Sequence, residues 1–482
     1  MLTPPDEQAK VAFETGDKVG ALACELFPNG KKIPFEGTTF DEKIALTQQY
    51  IDEGVKNIYE ATFKYDDVLV MVDILHINDD GSVEIYEVKS STWNSEKTRK
   101  KIKKYIDDAS VQHYVVSGCG FDVKKTSIVL LNGEYVRGDE LEIEQLFSMV
   151  DVTDEIIELQ DGIPAYLSQF QSVLAKKETE PDDDIGWHCK NPYECDAFKY
   201  CWKTQRNIPE YSVFDIFPLT KNSKALQLYH QGIVEVNDIP NDFEMTEKQA
   251  FAVDAWKHQH TNIDRDEIKH FLDSLTYPIY HFDFETFQQP IPEFKGIKPY
   301  AQIPFQYSLH IEHENGDTEH KEFLGKEGTD PREALVKQMI QDIPPSATVM
   351  AFNSRFEEMV TEGLKAAFPM YADQLSSIID NMVDLALPFQ NKHYYLPEMK
   401  GKYSIKIVLP LLVPGMEKAY EDLKLIHNGG DAMNTFPKLV DMDEQTKVEY
   451  REALLKYCEL DTLAMVEILK RLRVAQGENS TI

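Results

Sequence analysis

The sequence predicts an α/β protein with at least two cores. Three observations predict it. The chain has 482 residues, more than one core ordinarily holds. Short segments with an apolar period of two are interspersed with longer ones of period near 3.6. A cysteine-rich stretch, "WHCKNPYECDAFKYCW", separates two such patterns. Hydrophobic residues make up 42% and aromatics 11%, which suits folded domains and argues against disorder.

The elements follow in order. Residues 10–27 and 40–54 carry helical periodicity. "NIYEATFKY", "VLVMVDILHI" and "VEIYEVKSS" alternate as strands, the last two joined by a tight turn at "NDDGS". A helix around "DASVQHYVVSG" and a strand "TSIVLLN" complete the first third. "ETEPDDD" (residues 178–184) is an acidic, proline-containing linker, and the cysteine-rich stretch follows it. Residues from about 206 to 270 are mostly polar and helical. The last part opens on the strand "YPIYHFDFETF". A hairpin turning at Asn315-Gly316 comes next. Then come a helix (331–343), the strand "ATVMAFN", a helix (354–368) and a closing helix containing "KYCELDTLAM". The expected domains are 1–175, a cysteine knot at 176–205, a helical linker at 206–269 and 270–482.

The formal net charge is −33, which argues against nonspecific attraction to nucleic acid or anionic membranes as a whole. One patch has the opposite sign: "KTRKKIKKY", beginning at Lys97, carries six basic residues. It is either a solvated helix face or a phosphate contact. No apolar run approaches the roughly 20 residues of a membrane span. "MLTPPDEQAK" has no basic-then-apolar leader pattern, so a cytoplasmic protein is expected. Six cysteines in a chain of this length do not make a disulfide scaffold.

The candidate chemistry lies in carboxylates. Asp283 and Glu285 are two apart on a strand, so both point to one face while Phe282 and Phe284 point to the other. Two carboxylates aimed together repel unless a cation lies between them. Glu357 follows Asn353 at a strand-to-helix transition, where it or Glu358 would point back at the strand. Tyr457 and Asp461 lie one helical turn apart and share a face. Taken alone, Asp461 reads more readily as a residue that caps or solvates a helix. Four converging carboxylates suit Mg2+ or Mn2+, which take oxygen ligands. Two such ions, roughly 3.5–4 Å apart, can hold a phosphodiester for in-line attack by water. Tyr457 would orient that water.

In the first third, Asp73 and the pair Glu87 and Lys89 fall on adjacent strands. The bland reading is a satisfied buried ion pair. The sharper one has Asp73 and Glu87 bind Mg2+ while Lys89 positions water or offsets developing charge. Glu60 is an extra candidate. Cys189, Cys195 and Cys201 are regularly spaced, but wider apart than paired zinc ligands usually are.

The ordered set Asp-x-Glu, Asn-x-x-Phe-acid and Tyr-x-x-x-Asp resembles the DEDDy branch of the DnaQ-like exonucleases over residues 275–473. That resemblance implies a ribonuclease H-like fold and 3′ to 5′ phosphodiester hydrolysis. In that family the second motif normally ends in Asp; here it is Glu357, so that either its extra methylene shifts the metal ligand or Asp384 shares its role. "PYAQIPFQYSLH" and "KGKYSIKIVLPLLVP" resemble a domain of uncharacterised function commonly attached behind RecB-like nucleases. Gln302 and Gln306 in the first of these contact either a strand of substrate or the packed hairpin.

Asp73, Glu87 and Lys89, with Gln112 and Tyr114 in "VQHYVVSG", resemble the RecB-like branch of the PD-(D/E)XK nucleases, which implies a restriction-endonuclease-like fold. The His that this family often carries in its first helix is missing. The three cysteines are similar to the group that holds a [4Fe-4S] centre in RecB-like nucleases. A cubane takes four thiolates. The fourth is unassigned, Cys24 lying mid-helix, so the alternatives are a cluster with another ligand, zinc, or a lost site. Cys119 and Cys458 read as structural thiols. The implied function is a metal-dependent nuclease with two modules, DNA favoured over RNA, acting on single strands or ends. The alternatives are a nucleic-acid-end binder with degenerate sites and a metal-independent carboxylate enzyme such as a glycosidase.

Overall fold

The computed structural model describes residues 3–4, 7–176, 180 and 183–477, and the chain divides into two units. Residues 5–184 with 289–301 form one, called here the N-terminal unit. Residues 1–4, 185–288 and 302–482 form the other, the C-terminal unit. The cysteine-rich stretch and residues 206–269 thus belong to one unit with the second α/β layer, where the sequence suggested a separate knot and linker. The linker at 178–184 falls largely outside the described residues.

The N-terminal unit contains α1 (Glu7–Ala23), β1 (Lys31–Lys32), α2 (Phe40–Asp52), β2 (Asn57–Tyr65), β3 (Val68–Ile77) and β4 (Val83–Trp93). It continues with α3 (Lys103–Gly118), β5 (Val123–Asn132), α4 (Ile143–Leu146), β6 (Phe147–Asp151), α5 (Thr153–Leu159) and α6 (Ile163–Leu174). The strands form one mixed sheet in chain order. Asp66 and Asp67 both adopt positive φ, 50° and 58°, as a two-residue hairpin loop between β2 and β3 demands. β5 runs parallel to β4, so the chain must cross over between them, and α3 is that crossover. "IVLL" in β5 is apolar on both sides because both faces are covered. Ile128 and Leu130 pack with Ile106 and Ala109 of α3; Val129 and Leu131 pack with Val19 and Ala23 of α1.

The C-terminal unit contains α7 (Val213–Ile216), α8 (Lys224–Tyr229), α9 (Glu247–His258), β7 (Asn262–Ile263), α10 (Arg265–Asp273), β8 (Ile279–Phe287), β9 (Ile303–Glu312), β10 (Thr318–Leu324), α11 (Arg332–Asp342), β11 (Thr348–Ala351) and α12 (Arg355–Ala367). After these come α13 (Ala372–Asp380), β12 (Met382–Asp384), α14 (Leu387–Gln390), β13 (Tyr394–Tyr395), α15 (Ile405–Leu412), α16 (Gly429–Thr435) and α17 (Glu444–Gln476). Its main sheet has the order β10-β9-β8-β11-β12, antiparallel from β10 to β8 and parallel from β8 to β12.

Period two sorts β8 between two layers. Tyr280, Phe282 and Phe284 pack against Leu335, Val336 and Met339 of α11 and Val360 and Leu364 of α12. The odd-numbered residues are left for the α17 side of the sheet. There α17 supplies Ala464, Met465, Ile468 and Leu469 to a second core, shared with Val408 and Leu409 of α15. Asp443 caps the start of α17 by accepting hydrogen bonds from Gln445 N and Thr446 N; Gly477, at φ 106°, ends it. Among the described residues, no helix is long and apolar enough to cross a membrane.

Candidate active sites

In the C-terminal unit, Asp283 and Glu285 project from the middle of the sheet, and α17 brings Asp461 and Tyr457 over the same face. Glu357 enters from the first turn of α12. Glu285, Glu357, Asp461 and Tyr457 are all buried. Burial pushes the Asp283 carboxyl well above its ordinary range, and Asp461, Glu357 and Glu285 push it further. Burial likewise raises Glu285, with Asp461 and Glu357 adding to it and Lys406 opposing. Glu357 is raised to about 8 by burial, with Asp384, Glu358 and Asp461 contributing. One of its oxygens, Oε2, is buried without a hydrogen-bond partner. Of these four carboxylates, Asp283 feels the charge of the other three, and Asp461 raises each of the others.

Asp461 is raised to about 6 by burial, and hydrogen bonds from Tyr420 and Tyr457 together with the charge of Lys406 limit the rise. The Tyr420 hydroxyl donates to Asp461 Oδ1 at 2.5 Å. Lys406 Nζ sits 5.0 Å from the Tyr420 ring and 4.9 Å from that of Tyr457, and donates to His427 O at 3.0 Å. Cys458 was expected to be only a structural thiol, yet its Sγ lies 3.7 Å from Asp283 Oδ2. Donor atoms of Asp283, Glu285 and Cys458 fall within 4.8 Å of one another. Asp384 does not point freely at this group: its Oδ1 accepts from Asn353 N and Ala386 N, both at 2.8 Å. That grip holds Asn353 at φ 69°, where the chain turns from β11 into α12.

In the N-terminal unit, the sheet joins Asp73, Glu87 and Lys89. Asp73 Oδ2 accepts from Val88 N at 2.7 Å. Lys89 Nζ donates to Glu87 Oε1 at 2.6 Å and to Asp108 Oδ2, on α3, at 2.8 Å. Gln112 Nε2 donates to Glu87 Oε2 at 2.6 Å. Burial raises Asp73 to about 6 and Glu87 to about 8; Asp73 adds to the rise of Glu87, and Lys89 opposes both. Burial disfavours the Lys89 ammonium, but Glu87 and Asp108 outweigh it and hold the charge in place. Glu60 has φ 60° within β2, and its charge adds to the rise of Asp73. Tyr114 is not drawn into this group: its hydroxyl faces Asp66 Oδ2, 3.4 Å away, at the β2–β3 turn.

Comparison with known proteins gives a family and relatives without an assigned activity. A family described as "Domain of unknown function (DUF2779)" matches residues 280–404. The chain is 26% identical over 273 residues to "Uncharacterized protein MG366" of Mycoplasma genitalium, covering 52% of this chain and 40% of that protein. It is 23% identical over 289 residues to "Uncharacterized protein UU173" of Ureaplasma parvum, covering 55% and 41%. It is 25% identical over 445 residues to "Uncharacterized protein MG366 homolog" of Mycoplasma pneumoniae, covering 80% and 65%. The chain thus spans about two fifths of the length of the first two. No solved structure matches it. The family match begins on β8 and contains Asp283, Glu285, Glu357 and Asp384, but stops before Lys406, Tyr420, Tyr457 and Asp461.

The cysteine-rich stretch has a small core of its own, Ile185, Cys189, Trp202 and Ile208. Cys189 is buried there, Cys195 exposed and Cys201 half-buried. Their thiols are not among the donor groups that close on a single ion in the described residues. Cys24 lies just past the end of α1, not mid-helix, and donates back to Gly20 O at 3.3 Å. Gln306 donates to Leu454 O at 2.8 Å, and Gln302 Oε1 accepts from Thr286 at 2.7 Å. Both side chains are thus engaged within the unit, and Gln306 Oε1 is buried without a hydrogen-bond partner. In the basic run, Arg99 is engaged by Glu155 and Asp151, whereas Lys101 and Lys104 line a cavity of about 280 Å³ with Ser91 and Tyr105.

Proposed function

We propose that the chain is a metal-dependent nuclease with two hydrolytic sites. The C-terminal unit would be a DEDDy-type exonuclease with a ribonuclease H-like fold. The N-terminal unit would be a RecB-like nuclease with a restriction-endonuclease-like fold. DNA is favoured over RNA as substrate. The observation that carries the reading is the C-terminal carboxylate group. Asp461 of α17 raises the proton affinity of Asp283, Glu285 and Glu357 from β8 and α12, and Lys406 partly offsets the charge at Glu285 and Asp461. So much like charge out of water is costly without more positive charge.

The donors fit Mg2+ or Mn2+. Asp283, Glu285, Glu357 and Asp461 offer hard oxygen atoms, one of them with no partner. Asp73 and Glu87 offer the same in the N-terminal unit. Such ions, when bound, supply the Lewis acidity that makes water a nucleophile near neutral pH and screens the phosphate. The protein's own residues do the rest. Tyr420 and Tyr457 hold Asp461 ionised and oriented through their hydroxyls. Lys406, close to both rings, adds positive charge where an anionic backbone would lie. Lys89, fixed between Glu87 and Asp108, presents an ammonium beside the N-terminal acids, and Gln112 orients Glu87. Lys101 and Lys104 provide a basic wall for a phosphate chain. With Zn2+ as the alternative, the three cysteines would hold a [4Fe-4S] cluster whose fourth ligand is unassigned. A brown preparation supports it, and a colourless one removes it.

Cleavage of end-labelled single- and double-stranded DNA and RNA with Mg2+ or Mn2+ tests the reading. Asp283→Ala and Lys89→Ala variants assign each activity to its unit. Cleavage that survives chelator, or that neither substitution changes, overturns it. Tight binding to ends without cleavage would favour a binding protein with degenerate sites.

A further inference from the structure

The edge hairpin of the C-terminal unit carries a second group of donors of a different chemical kind. The turn at Asn315-Gly316 sets the register of β10 on β9, and that register places His310 directly opposite His320. Opposed residues on antiparallel strands bring their side chains together. The two rings lie 4.6 Å apart. α17 crosses this face, and Glu459 Oε1 comes to 4.0 Å from His320 Nδ1. One donor atom from each of His310, His320 and Glu459 lies within 4.8 Å of the other two.

The remaining ring nitrogens are held by hydroxyls. His310 Nδ1 is 2.7 Å from Thr462 Oγ1, and His320 Nε2 is 3.0 Å from Ser308 Oγ. The two hydroxyls are themselves 2.7 Å apart. A hydrogen bond on one nitrogen of an imidazole fixes its tautomer and its aim, the usual support behind a metal-ligating histidine. His310 Nε2 and His320 Nδ1 are left for a ligand. Burial, with His320 and His281 nearby, holds His310 down at about 4, so its ring is neutral at physiological pH. The side chains of His320 and Glu459 keep 25% and 45% exposure, which gives an ion access from solvent.

We propose that His310, His320 and Glu459 form a binding site for a divalent transition ion of the Zn2+ type, separate from the carboxylate site. Two imidazoles and one carboxylate suit such an ion and not Mg2+, which prefers oxygen throughout. Three protein ligands leave a coordination position to water. The site would fasten the edge hairpin to α17 two residues from Asp461. It does not depend on the nuclease reading.

The test uses the full chain, freed of metal by chelation, with Co2+ as the probe in excess Mg2+. Bound metal is counted after gel filtration and visible absorption is recorded for wild type, His320→Asn, Glu459→Gln and Asp283→Asn. The site predicts one equivalent of Co2+ in wild type and Asp283→Asn that both His320→Asn and Glu459→Gln lose, with d–d bands free of thiolate charge transfer. Circular dichroism checks folding, and the nearly isosteric Glu459→Gln decides if His320→Asn fails to fold. Equal stoichiometry in wild type and Glu459→Gln overturns the proposal. So does an equivalent lost in Asp283→Asn, which would place the ion at the carboxylates.

Discussion

Glu357→Gln isolates the charge problem at the C-terminal site. The Glu357 carboxyl is raised from 4.5 to about 8 in the folded protein. The folded state therefore holds a proton that the unfolded chain releases at lower pH. Between pH 4.5 and 8 the native state binds more protons than the unfolded one, so stability falls as pH rises through this window. At about 1.4 kcal/mol per pH unit the full difference approaches 5 kcal/mol. Proton sharing with Asp384 and Asp461, and local opening to water, reduce the expected effect to about 1–3 kcal/mol. For a unit of this size that corresponds to roughly 2–12 °C in melting temperature. Thermal unfolding in chelator at pH 5.5 and pH 8 measures it. Wild type should melt lower at pH 8, and Glu357→Gln should recover part of that loss. Mn2+ should raise the wild-type transition at pH 8 and affect the variant much less. The reasoning fails if wild type is indifferent to Mn2+, or if Glu357→Gln destabilises the protein equally at both pH values.

Other outcomes follow from the same geometry. Tyr420→Phe removes a hydrogen bond that helps keep Asp461 ionised; at about 1.5–3 kcal/mol for a bond to a charged group, the acid limb of the pH–rate profile should move up by about one to two pH units, and an unmoved limb would exclude that role. In an Asp283→Asn background, Lys89→Met should lower remaining Mn2+-dependent cleavage by about a hundredfold or more without shifting the melting temperature greatly; unchanged cleavage would show that Lys89 is only a structural cation. Asn353→Gly should be nearly neutral because φ is already positive, whereas Asn353→Val should cost about 1–3 kcal/mol in urea unfolding; equal stabilities would refute the strained turn.

The parts of the site that could be read in the sequence are those set by local periodicity. Alternation alone places Asp283 and Glu285 opposite Phe282 and Phe284, and β8 packs that way between α11–α12 and α17. The helical repeat brings Tyr457 and Asp461 to one face, and pairing of β3 with β4 brings Asp73 to the Glu87 strand. Tyr420 and Lys406 escaped notice because their meeting with Asp461 and Tyr457 is tertiary. Tyr420 lies in a connection without periodicity, some forty residues from its partner. Asp108 was hidden in the same way, on a helix face that only the crossover to β5 turns toward Lys89. Tyr114 fell in a matching motif, but its helix position directs it to the β2–β3 turn. The return of residues 289–301 to the N-terminal unit has no compositional sign. It rests on hydrogen bonds such as Tyr300 to Ser90 O at 2.7 Å.

The most direct measurement is anomalous X-ray scattering from crystals of the full chain grown with Mn2+. The account predicts Mn2+ peaks ringed by Asp283, Glu285, Glu357 and Asp461, and another between Asp73 and Glu87. Crystals saturated with Mn2+ that show no peak at either carboxylate group would contradict it.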